Sequence, residues 1–80
     1  MADHEKFRAA LNDASKDYGH RFNDLVRYLK ASGWPLRIKG SHHIFTRSGV
    51  PVLLNAQPEG NKAKGYQVAQ IRKVLNQYNL

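Results

Sequence analysis

At Trp34 the hydrophobic period of this chain changes from 3.6 residues to 2, and that one switch excludes both an all-helical bundle and an all-strand sandwich. Upstream, Phe22, Leu25, Val26 and Leu29 fall at i, i+3, i+4 and i+7, a helical stripe. Downstream, Trp34, Leu36 and Ile38 alternate with Pro35, Arg37 and Lys39, a strand with one apolar face. Gly33 stands between the two patterns, at the C′ position where a positive φ ends a helix at little cost. The helix is therefore expected over about 23 to 32, with Asn23 and Asp24 suiting its start.

The strand pattern repeats twice. Gly40-Ser41 reads as a two-residue hairpin loop, "HHIFTR" as the second strand, Ser48-Gly49 as a turn and "VPVLLN" as the third strand. Pro35 and Pro51 cannot donate to a ladder and belong in outer strands, which leaves His42 to Arg47 in the middle of an antiparallel meander. A helix precedes this unit, carrying Phe7, Ala10, Leu11 and Ala14 on one stripe with Asp3 as its N-cap. Another follows, carrying Val68, Ile71, Val74 or Leu75, and Tyr78, with Arg72 and Lys73 directed to solvent. Between the third strand and the last helix, "AQPEGNKAKG" reads as a polar loop of about ten residues. The order α-α-β-β-β-α predicts an α+β domain, a three-stranded antiparallel sheet covered by helices on one face.

Eighty residues allow one domain and a simple core, since a chain of this size buries only about 60% of its unfolded surface. The expected organisation is a single domain over 1–80, with 1–20 as an N-terminal extension helix and 22–78 as the core. Thirteen Lys and Arg against six Asp and Glu give a net charge of +7, which favours a polyanionic partner such as RNA or an acidic protein. The absence of cysteine removes disulfides, thiolate nucleophiles and Cys-ligated zinc together. No stretch approaches the ~20 apolar residues of a membrane span, and "MADHEKFRAA" lacks a signal-peptide pattern, so the chain reads as soluble and cytoplasmic.

Four histidines invite a metal reading, but adjacent residues of a strand point to opposite faces. His42 and His43 therefore cannot grip one ion, and no His-x-x-x-His pair exists. Acid–base chemistry fits better. A neutral imidazole can deprotonate an RNA 2′-OH, which attacks the adjacent phosphorus and leaves a cyclic phosphate, with no metal or other cofactor required. Arg37, Lys39, Lys62 and Lys64 lie in segments able to reach the hairpin and stabilise the added negative charge. Lys62 and Lys64 also immediately precede the last helix, whose N-terminal dipole attracts phosphate. Tyr66 and Trp34 are candidates for stacking on bases, although aromatics at such positions more often belong to a core. By position alone, a histidine beside a turn is more often structural than catalytic.

"LVRYLKASGW", "KGSHHIF" and "AKGYQVAQIRKVL", in this order, resemble the HicA family of bacterial type II toxin–antitoxin mRNA interferases, over about residues 22 to 77. The resemblance implies a fold like the double-stranded RNA-binding domain, metal-independent endoribonuclease activity on mRNA, and silencing by a HicB-type antitoxin. It maps the catalytic histidine onto His42, after Gly40-Ser41, with His43 as the alternative because some members carry their histidine one position later. Two features depart from the family pattern. The first twenty residues precede its usual start, and "NAQP" replaces a Pro-x-His motif after the third strand, so a second catalytic histidine from that loop is absent. The competing function is a non-catalytic RNA-binding module of the double-stranded RNA-binding type, which needs no histidine in the hairpin.

Overall fold

The computed structural model describes residues 2–80, with side chains from His4 onward. Helix α1 spans Ala2–Leu11, a 3-10 turn spans Ala14–Lys16, and α2 spans Phe22–Ala31. Strands β1 (Leu36–Lys39), β2 (His42–Arg47) and β3 (Val50–Ala56) form an antiparallel sheet in that order, with His42–Arg47 in the centre as the prolines required. A second, two-stranded sheet, β4 (Pro58–Glu59) and β5 (Lys62–Ala63), leads into α3 (Gly65–Gln77). The fold is α+β in the α-β-β-β-α layout, with one additional helix ahead of it.

Pairing partners fix the faces of the large sheet. Leu36 and Ile38 lie opposite Phe45 and His43, which in turn lie opposite Leu54 and Ala56, so these six share one face. Phe45, Leu54 and Ala56 are buried there against Leu25, Leu29, Val68, Ile71 and Leu75 of α2 and α3, together with Trp34 and Leu11. Arg37, Lys39, His42, Ile44 and Asn55 occupy the opposite, open face, where Arg37, Lys39 and His42 are exposed and Ile44 and Asn55 half-buried. At about 25 cal/mol per Å² of apolar surface, the covered face supplies most of the stabilisation, and the open face is free to carry polar side chains.

Four expectations require correction. The segment "AQPEGNKAKG" is not a loop: β3 runs on to Ala56, and Pro58 pairs with Ala63 and Glu59 with Lys62. Its backbone is also held by the entrance to α2, where Phe22 N donates to Asn61 O at 2.9 Å and Ala63 N donates to His20 O at 2.9 Å. Arg72 does not face solvent but donates from Nη1 to Asp17 Oδ1 at 2.6 Å and to Leu11 O at 3.2 Å. Trp34, only 1% exposed, lies in the core ahead of a strand that begins at Leu36, so it cannot stack on a base. The N-terminal helix already contains Asp3 and ends at Leu11, which leaves Ala14 in the 3-10 turn; the Asp3 side chain, expected as N-cap, lies outside the described residues.

Helix α1 and the following turn are fastened to α3 by arginines. Arg8 Nε donates to Leu80 O at 3.0 Å and its Nη2 to Asn76 Oδ1 at 2.7 Å, while Arg72 reaches back to Leu11 and Asp17 as above. Phe7 packs on Tyr28 and His20, with ring centroids 5.3 Å apart in each pair. The segment ahead of α2 thus shares the apolar core and does not simply trail from it.

Candidate active site

The β1–β2 hairpin places the site. Gly40 has φ +61° in the two-residue turn, a conformation that favours glycine, and this turn sets Lys39 opposite His42 and Arg37 opposite Ile44. Cross-strand partners have Cβ atoms about 4.5–5.5 Å apart and diagonal neighbours about 7–8 Å, so Lys39 and Arg37 both border His42 on the open face. His42 is exposed. Its Nδ1 lies 3.1 Å from Asn55 Oδ1, an amide oxygen that can only accept. In the neutral ring that contact holds the proton on Nδ1 and leaves the Nε2 lone pair facing outward, the form a general base requires.

His43 is built differently. It points to the covered face, is half-buried, and sets its ring edge-on to Phe22 with centroids 4.7 Å apart at 83°. Its Nδ1 lies 3.3 Å from Ser41 O. The two neighbouring histidines thus take opposite faces, as the period of two requires.

Of the four cations expected around the hairpin, Arg37 and Lys39 stand beside His42. Lys64 is linked to the turn indirectly: its backbone N donates to Gln57 O at 3.2 Å, and Gln57 Nε2 donates to Ser41 Oγ at 3.1 Å. Lys62 is on the smaller sheet, bridged to Arg21 and opposite Glu59. Gln57 is itself clamped by the buried Gln67, whose Oε1 accepts from Gln57 N at 2.7 Å and whose Nε2 donates to Gln57 Oε1 at 2.8 Å. This pair of hydrogen bonds ties the first turn of α3 to the hairpin.

Asn55, Gln57 and Gln67 were not singled out from the sequence. Alternation in "VPVLLN" puts Asn55 on the face opposite Leu54, which is the signal that could have found it. Among the described residues no group of three or more His, Cys, Asp or Glu is placed to hold a metal ion, and no helix is long and apolar enough to cross a membrane.

The site is thus an exposed histidine, its ring held by Asn55 on one side, with Lys39 and Arg37 of β1 on the other, in a small basic α+β domain. Residues 22–79 match the family described as the HicA toxin of bacterial toxin–antitoxin, and the chain belongs to that family. It is therefore a toxin of a toxin–antitoxin system, and the family implies an antitoxin partner. No curated protein and no solved structure matches the chain.

Proposed function

We propose that this toxin is a metal-independent endoribonuclease that cleaves mRNA with His42 as general base and is silenced by a HicB-type antitoxin. The observation that carries the reading is the contact of His42 Nδ1 with Asn55 Oδ1 on the open face, which leaves Nε2 without a hydrogen-bond partner among the described residues, on the face that also carries Lys39 and Arg37. Nε2 takes the proton from a ribose 2′-OH, and the 2′-oxygen bonds to the adjacent phosphorus. The bond to the 5′-oxygen then breaks, that oxygen takes a proton from water, and a 2′,3′-cyclic phosphate and a 5′-OH remain. The phosphorane carries more negative charge than the phosphodiester, and the two cations stabilise it most at that point, which is what accelerates the reaction.

His43 is the runner-up for the base. Its half-buried ring, seated against Phe22 on the helix side of the sheet, has less room for a phosphodiester than His42 has. Residues 1–80 act as one toxin domain in this reading, with 1–20 an extension on a core of 22–78, because Arg8 and Arg72 bind the extension to α3. An acidic or neutral antitoxin would cover the hairpin and the Lys62–Lys64 segment, since a net charge of +7 must be kept from RNA while the toxin is silent.

Incubation of the purified protein with single-stranded RNA in EDTA tests the activity. Fragments ending in cyclic phosphate are expected, and addition of the antitoxin should stop their formation. Intact RNA that nevertheless binds would replace this reading with that of a non-catalytic RNA-binding module.

A further inference from the structure

Tyr18 lies in the segment ahead of the family match, in neither a helix nor a strand, and it is 75% exposed. An exposed tyrosine alone is unremarkable on a protein surface. What sets this one apart is its seat. A Cβ placed on Gly65 would sit 2.7 Å from Tyr18 Cζ and closer still to Cδ1 and Cε1. Three successive ring atoms at nearly equal distance put that point over the face of the ring, not at its edge. One face of Tyr18 therefore rests on the backbone of Gly65, which is buried as a result, and the other face is open to water.

We propose that Tyr18 is a stacking platform for an unpaired RNA base at the start of α3. The inference rests on the reading of this chain as a ribonuclease and assigns its N-terminal segment a part in holding the substrate. A ring anchored on one face and open on the other loses little conformational freedom when a base stacks on it. Phosphate contacts are close by. Lys64 immediately precedes Gly65, and the first turn of α3 offers backbone N–H donors at the positive end of a thirteen-residue helix.

A path from this position to the reacting centre is also present. Tyr66, next to Gly65 and 54% exposed, has its hydroxyl 3.4 Å from Gln67 Nε2, and Gln67 is paired to Gln57, which bonds Ser41 beside His42. A strand whose base stacks on Tyr18 thus meets a chain of side chains leading to the hairpin turn. The cationic surroundings favour a polyanion over an apolar protein surface as the occupant.

The test uses a short single-stranded 2′-O-methyl RNA, which lacks the attacking hydroxyl and stays intact, and an abasic phosphodiester of equal length. Binding of each is measured by fluorescence anisotropy for the full chain and for Tyr18→Ala, Tyr18→Phe and Gly65→Ala. Gly65→Ala displaces the ring by contact while leaving Tyr18 itself unaltered, so it serves as an independent variant, and circular dichroism checks that all are folded. Tyr18→Ala and Gly65→Ala should each weaken RNA binding by about 5- to 30-fold, while Tyr18→Phe and all binding to the abasic strand remain unchanged. Equal RNA affinity in all four proteins, or equal losses on both polymers, overturns the proposal while leaving the ribonuclease reading in place. Loss of antitoxin binding alone in Tyr18→Ala assigns the ring to the protein partner and also overturns it. Failure of the unmodified chain to bind RNA removes both.

Discussion

The β1–β2 hairpin and the seam between the N-terminal segment and α3 each hold a histidine among charged residues, and they treat it in opposite ways. At the hairpin, His42 is exposed, oriented by Asn55, and bordered by Lys39 and Arg37, neither of which is paired with an acid among the described residues. At the seam, His20 is buried to 7% exposure, its Nε2 has no hydrogen-bond partner among the described residues, and the neighbouring Asp17 is already taken by Arg72. Burial makes the seam charges structural, because an uncompensated charge there destabilises the fold. Exposure makes the hairpin charges available to something outside the protein. The same residue types are locked into the fold in one place and left exposed in the other, and in the proposed function only the exposed set does chemistry.

The sharpest way to break this comparison is at the seam. Arg72→Ala strips the partner from Asp17, whose side chain is 10% exposed, and also removes a donor to Leu11 O. Stability should fall by about 3 kcal/mol, read as a lowered urea midpoint, and Arg72→Met with Asp17→Asn together should recover part of it. An unchanged midpoint in Arg72→Ala would mean that the seam is no more structural than the hairpin.

A second, smaller effect concerns pH. Burial pushes the His20 pKa below its ordinary 6.5, opposed by Asp17 and reinforced by Lys16 and Arg72. Below 6.5 the unfolded chain therefore binds more protons at this site than the folded chain does. The contribution to stability is full above that pH and is lost as the pH falls toward the folded-state value. Unfolding measured between about pH 7 and pH 5 should show a shallower decline in His20→Leu than in the unmodified protein. Parallel pH profiles would show that His20 is not held neutral by burial.

Much of this contrast was legible in the sequence, and the parts that were not share a cause. The switch at Trp34 and the period of two after it placed His42 and His43 on opposite faces, because alternation is a local property of a strand. Register is not local. Arg47 pairs with Val50 across the turn, but a shift between Phe45 and Arg47 moves the ladder by two residues, so Asn55 stands opposite Ile44 and diagonal to His42. The hairpin of β4 and β5 leaves no signal in the sequence because its strands have two residues each, too short for any periodicity, and are held by the distant backbone of His20 and Phe22. Helical phase alone directs Arg72 to solvent. Asp17, 55 residues away in sequence, captures it.

The smallest expected effect lies between the two regions, at the lysines of β5 and the entrance to α3. Lys62→Ala and Lys64→Ala together should leave stability unchanged and flatten the dependence of RNA affinity on salt. Each phosphate contact on a single strand contributes about 0.7 to the log–log slope. A slope that does not change would assign both lysines to solvent, and leave Lys39 and Arg37 as the cations that matter.

The central claim, that the exposed histidine of the hairpin does the chemistry, is tested most directly by RNA cleavage in EDTA with His42→Ala and His43→Ala compared side by side. Circular dichroism and RNA binding serve as controls. The account predicts that His42→Ala stays folded, binds RNA nearly as before, and loses about 10²- to 10⁴-fold in cleavage rate, while His43→Ala falls by less than about tenfold. An active His42→Ala protein, or a folded His43→Ala protein that alone is inactive, would contradict it.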